Sequence, residues 1–175
     1  MRITLDLEPA DLQRFDAALA RVRRASACAD EIDVIEAAKL ALDQLCATAT
    51  PGFVRKRLVE VQRLILMLED EGWALTGGER EDVLAVLVYF SDPDDLVPDH
   101  VEVLGLLDDA IMLELLLRRL RHVRSAYAAF CDARKRLGQA APEEGARVQH
   151  AVELARHRAE LQARMRRQRQ RAGAV

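Results

Sequence analysis

Six aspartates, Asp92, Asp94, Asp95, Asp99, Asp108 and Asp109, crowd into one short stretch of the chain. Carboxylates this close repel one another, and a divalent cation, a proton or neighbouring arginines would relieve them. A hard-cation site for Mg²⁺ or Ca²⁺ is one expectation, with Asp95, Asp99, Asp108 and Asp109 as candidate ligands. It would suit a divalent-metal-binding protein or a metal-dependent hydrolase. The spacing is not that of an EF-hand, since the Gly-centred loop and its closing Glu are missing. The preferred reading is architectural. Asp92 caps a short helix opened by Pro93, and Asp94 and Asp95 sit in its first turn. Pro98 forces Val97 out of helical form, Gly105 ends a second short turn, and Asp108 caps the helix that follows. Pairing with Arg118, Arg119 or Arg121 would absorb the remaining charge. On that reading no cofactor is required.

The second concentration of chemistry is basic. Arg164, Arg166, Arg167, Arg169 and Arg171 cluster near the C-terminus. The net charge of -3 conceals a split, because residues 118–175 hold 15 of the 26 Lys+Arg but only 5 of the 29 Asp+Glu. Such a basic end meets the chain's own acidic N-terminal half, an acidic protein, or nucleic acid. The internal pairing is the plainer expectation. A pI near 5.9 and few aromatic residues count against base stacking. His150, Glu153 and His157 share a helical face that a metal could use, but Arg156 and Arg158 surround them. His100 lies inside the acidic stretch and reads as a surface residue. No Gly-rich phosphate loop, nucleophile elbow or paired Cys is present, so no catalytic residue is assigned and an enzyme is not expected.

The elements that must position these groups are helices. Leu12, Phe15, Leu19 and Val22 step as one helical face, and so do Ile35, Ala38, Leu42 and Leu45. Val54, Leu58, Val61, Ile65 and Leu68 mark a third helix that Gly72 ends. Thr76 and Glu79 have capping-box spacing for a fourth, which carries Val83, Val86, Leu87 and Phe90. Leu113, Leu116, Leu120, Val123, Tyr127, Phe130 and Leu137 predict one long helix from about Asp108 to Gly138. A last helix opens at Pro142 and Glu143–Glu144, packing at its start and projecting or fraying at its arginine-rich end. Before them all, Ile3, Leu5 and Leu7 alternate with polar residues, as in a half-buried strand. A lone strand lacks a mate, and pairing with its copy in a second subunit would supply one. A strand followed by two helices also has the ribbon-helix-helix layout, but Asp6 and Glu8 on its outward face disfavour DNA.

The run Tyr89-Phe90-Ser91-Asp92-Pro93-Asp94-Asp95-Leu96-Val97-Pro98-Asp99, followed by Gly105 and Leu107-Asp108-Asp109, resembles the signature of the YkvA-like family, a bacterial domain of unknown function. The matching positions are Ser91, Pro93, Asp95, Leu96, Pro98, Asp99, Gly105, Asp108 and Asp109, and the resemblance spans about residues 80–118. It implies a small helical domain and brings no established activity. Other members continue the Asp–Asp pair into a helix apolar enough to be called membrane-embedded. Here Glu114, Arg118, Arg119 and Arg121 place charges in that helix.

With 175 residues, 50% hydrophobic and 4% aromatic, the composition favours helices over a sheet-built core. The longest wholly apolar run, Val83 to Phe90, is far short of the roughly 20 residues of a membrane span. Acidic residues stand where a signal peptide would be apolar. Cys28, Cys46 and Cys131 read as reduced, buried hydrophobes of a cytoplasmic protein. The expectation is an all-α helical bundle with a short N-terminal β-strand and an Arg-rich C-terminal helix. Residues 1–52 form a dimerisation element, 53–138 a YkvA-like core, and 139–175 a basic helix or tail. Function is expected to be non-enzymatic: an interaction or regulatory module, homodimeric, with an acidic partner for the tail.

Overall fold

Asp30 starts the first long helix. In the structure, a computed structural model that describes residues 17, 20–24, 28–46, 52–91, 105–139 and 144–172, its Oδ1 accepts the Ile32 N–H at 2.8 Å. That is an N-cap bond, and Glu31 and Asp33 occupy the favourable first turn of α1 (Glu31–Cys46). Ile35, Ala38 and Leu42 turn inward, as the spacing predicts; Val34 joins them, and Leu45 is half-buried. The described residues contain helices and no strand. The strand expected at residues 3–7 lies outside them, as does most of the helix expected from Pro9. Val22, in the helical residues 20–24, is buried.

Helix α2 (Gly52–Glu69) buries Val54, Leu58, Val61, Ile65 and Leu68, and Leu64 and Met67 broaden that face. It stops at Glu69, ahead of the expected Gly72. The carbonyl of Asp70 accepts the N–H groups of Trp73 and Ala74 at 3.0 and 2.9 Å, and Ala74 takes a left-handed φ of 48°. Helix α3 (Gly78–Ser91) begins from Gly77, whose φ is 72° and whose carbonyl accepts Arg80 N–H at 2.9 Å and Glu81 N–H at 3.2 Å. Glycine enters that left-handed geometry without steric cost, so Gly77 occupies the cap expected of Thr76. Glu79 is buried at 3% exposure. Arg80 then staples three segments together. It pairs with Glu31 on α1 and donates to the carbonyls of Leu75 and Leu68 at 3.0 and 3.3 Å.

The long helix expected from Asp108 to Gly138 is two: α4 (Gly105–Arg119) and α5 (Arg121–Gln139). The apolar rhythm continues through Leu120, and neither Pro nor Gly marks the break. Side chains take up backbone groups there. Arg124 Nη1 donates to the Leu117 carbonyl at 3.1 Å, and the His122 ring hydrogen-bonds the Arg119 backbone. Groups inserted into the backbone ladder bend a helix in this way.

Helix α6 (Glu144–Ala172) has 29 residues and returns along α5. Its packing reverses the expectation. Leu161 and Met165, toward its end, are buried in the same core as Trp73 and Phe130, whereas Val148 and Val152 near its start are exposed. Leu154, Leu161 and Met165 recur at spacings of seven and four and share one face; Val148 and Val152 point the other way. Within the bundle α1 lies against α2 and α3, α2 against α3 and α4, and α5 against α6. At the centre Trp73 stacks tilted on Phe130 and Tyr127, with ring centroids 5.2 and 5.8 Å apart. No described helix is long and apolar enough to cross a membrane. Cys28 and Cys46 are exposed and Cys131 is half-buried, so the three are not the buried hydrophobes expected.

Candidate functional site

The acidic stretch divides at Ser91. Ser91 closes α3, and its Oγ donates to the carbonyls of Leu87 and Val88 at 2.9 and 3.3 Å, a local helix-end bond. Asp92, Pro93, Asp94, Asp95, Leu96, Pro98, Asp99 and His100 lie outside the described residues. Gly105, Asp108 and Asp109 fall within α4. Gly105 therefore opens this helix where it was expected to end a turn, and Asp108 stands inside the first turn rather than at the cap. Of the metal candidates, Asp95 and Asp99 lie outside the described residues, and Asp108 and Asp109 are consecutive on one helix. Among the described residues no group of three or more His, Cys, Asp or Glu is arranged to hold a metal ion. His157 Nδ1 faces Glu160 at 4.0 Å instead.

From Arg158 onward the arginines of α6 separate into two sets. Arg158 Nη1 donates to the Gly72 carbonyl at 3.1 Å, and beside it Gln162 Nε2 donates to the Trp73 carbonyl at 2.7 Å. Arg169 pairs with Asp82 at 3.1 Å, and Arg23 reaches the same carboxylate at 2.8 Å. Gly78 makes room for this contact: a Cβ there would lie 1.9 Å from Arg169 Nη1. The other set, Arg164, Arg166, Arg167 and Arg171, is exposed. Arg164, Arg167 and Arg171, spaced three and four apart, lie along one edge of the helix. The expected pairing of the basic residues 118–175 with the acidic N-terminal half thus exists for Arg169, and also for Arg124 with Glu60 and Arg134 with Asp70. Elsewhere Arg118 pairs within α4 with Glu114 at 3.0 Å.

Two polar nodes were not visible in the sequence. Asp70 sits between α2 and α5 and takes bonds from three directions. Tyr127 OH donates to it at 3.0 Å, Trp73 N–H at 3.2 Å, and Arg134 approaches Oδ2 at 2.8 Å. Burial, then the hydrogen bond to Asp70, holds the Tyr127 phenol above its ordinary range. Arg134 also lies over the Phe130 ring at 5.3 Å. The second node is His122, whose Nε2 is buried without a hydrogen-bond partner. Burial pushes its pKa below 6.5, and Arg169 adds to that; the Arg119 backbone, Glu79 and Asp82 pull the other way. The only sequence signal for either node was a polar residue in an apolar helical rhythm. Neither brings a nucleophile, a general base and an oxyanion donor together.

A protein-family model described as a protein of unknown function (DUF1232) matches residues 83–115. Those residues fall within the stretch whose motif suggested a domain of unknown function, so that coarser resemblance stands. No curated protein and no solved structure matches the chain.

Proposed function

We propose that this is a cytoplasmic, non-enzymatic interaction module, built on a YkvA-like segment, that captures an acidic protein surface along the exposed edge of α6. One observation carries the reading: the arginines in the second half of a single helix are divided. Arg158 and Arg169 fasten α6 to the body, while Arg164, Arg166, Arg167 and Arg171 stand in solvent. The buried Leu161 and Met165 hold the helix in place. The edge is therefore ordered before a partner arrives, which lowers the entropic cost of association. Arginine suits the role because its planar fork can grip carboxylates in pairs. The proposal includes self-association as a homodimer through residues 1–52.

The test uses the full chain at low salt with three probes: polyglutamate, random duplex DNA and RNA. Polyglutamate is expected to bind, and the triple variant Arg164→Glu, Arg167→Glu, Arg171→Glu is expected to lose that binding with helicity unchanged. Truncation after Gly138 is the poorer variant, because it also strips Leu161 and Met165 from the core. No polyglutamate binding, unchanged binding by the triple variant, or binding of nucleic acid alone would each defeat the reading. Light scattering should give a dimer mass, and a strict monomer removes that part of the proposal.

A further inference from the structure

Helices α2 and α5 run side by side but are spanned mainly by side chains. Arg124 pairs with Glu60 at one end, and Tyr127 and Arg134 reach Asp70 at the other. Glu60 and Asp70 are ten residues apart, as are Arg124 and Arg134, a span of about 15 Å along a helix axis, with Tyr127 reaching Asp70 from between. Between them is an open cleft of about 660 Å³. Its floor is apolar, made by Leu66, Met67 and Ala128. Leu66 is 53% exposed, so it presents apolar surface to whatever enters the cleft.

The charge along this cleft is uneven. Arg121 and Arg63 line it near the Arg124–Glu60 bridge, and a smaller adjoining hollow of about 390 Å³ adds Lys56 on the same side. Glu60 is shared between Arg124 and Arg63, the latter at 2.7 Å, so one carboxylate faces two guanidinium groups. Arg121 and Lys56 are exposed. Asp132 lies eleven positions from Arg121, about 16 Å along the helix at the far end, where Arg134 offsets it. The near end, with Glu60 and Glu114 set against Lys56, Arg57, Arg63, Arg121 and Arg124, keeps the excess of positive charge. A ligand that fits has an anionic head at the Arg63–Arg121 end and an apolar tail running over Leu66 toward Tyr127. The volume falls within the roughly 300–1,000 Å³ of small-molecule sites.

We infer that the cleft between α2 and α5 binds a single-chain anionic amphiphile, with Arg63 and Arg121 receiving its carboxylate or phosphate and Leu66, Met67 and Ala128 its alkyl tail. This site is separate from the arginine edge of α6 and is tested separately. Dodecanoate is titrated into the full chain by calorimetry, below the concentration at which it self-associates. Acetate supplies the head alone and dodecyltrimethylammonium the tail with the wrong charge. Saturable one-to-one binding of dodecanoate, with neither control binding, is expected. Arg63→Glu with Arg121→Glu should weaken it by about tenfold or more, the loss of charge-assisted contacts. Arg167→Glu should leave it unchanged.

A second readout does not depend on those variants. In a Cys28→Ser, Cys46→Ser protein, dodecanoate should slow thiol labelling of Cys131, which lines the cleft. Failure of dodecanoate to bind, equal binding of the cationic amphiphile, an unaffected double reversal, or unprotected Cys131 would each overturn the inference.

Discussion

Replacing Asp70 by Asn tests whether one carboxylate ties α2, the following turn and α5 together. Its side chain is only 9% exposed and accepts from Tyr127 at 3.0 Å, from Trp73 N–H at 3.2 Å and from Arg134 at 2.8 Å. Asparagine keeps one oxygen for Trp73 but removes the charge. A hydrogen bond to a charged acceptor is worth about 1.5–3 kcal/mol, reduced here because Tyr127 is half-buried. The pair with Arg134 is discounted for solvent to about 0.5–1 kcal/mol, since that side chain is 46% exposed. The expected loss is therefore about 2 kcal/mol, or about 4–8 °C in Tm for a chain of this size. Urea unfolding followed by the fluorescence of Trp73, the one tryptophan, measures it directly. Tyr127→Phe should cost less, and the double variant should show a coupling of at least about 0.5 kcal/mol. The phenol supplies a pH arm as well. Its folded pKa is raised, so its contribution is complete below the unfolded value near 10 and is lost as pH rises beyond it. Tyr127→Phe should lack that alkaline loss. An Asp70→Asn protein within about 0.5 kcal/mol of wild type would refute the reasoning, because surface changes without such a role fall in that range.

Phe130→Ala removes a wholly buried ring beneath Trp73 and Arg134, and should cost about 3–5 kcal/mol in the same unfolding assay. His122 has a lowered folded pKa, so its stabilising effect is present above about 6.5 and is lost as pH falls through the folded value. His122→Leu should flatten the fall in stability between about pH 7 and pH 5. In Gly78→Ala the new methyl displaces Arg169 from Asp82. Stability should change by less than about 1 kcal/mol, while polyglutamate affinity rises because another arginine is freed. If the aspartates between Asp92 and Asp109 serve as caps, calorimetry with Mg²⁺, Mn²⁺ and Ca²⁺ should show no saturable binding, and binding of any one would reverse that reading.

The buried faces of α1, α2 and α3 were legible because a 3–4 rhythm of apolar residues directly records which side meets a core. The break at Leu120 was not, because Leu116, Leu120, Val123 and Tyr127 hold the rhythm through it. It depends on where Arg124 and His122 send their polar ends, which spacing does not encode. The start of α3 was misplaced for a related reason. Thr76 and Glu79 have the right separation for a capping box, but the left-handed Gly77 supplies the helix start and Glu79 goes inward. On α6 the density of valines near the start outweighed the sparser Leu161 and Met165, although the latter share a face with Leu154. The exposed arginines could be named from composition, but their division into anchored and free sets required the positions of Gly72 and Asp82. Asp70 gave no signal beyond its polarity, since its side-chain partners Tyr127 and Arg134 are 57 and 64 positions away.

Arg23 and Arg169 close on the same carboxylate, so opposite ends of the described chain are buckled at Asp82. A fusion partner or a proteolytic nick at one end would be felt at the other. The same proximity makes the protein a good host for circular permutation. A short linker joining the segments around Arg23 and Arg169, with new termini opened between α5 and α6, should preserve the bundle while making that buckle covalent.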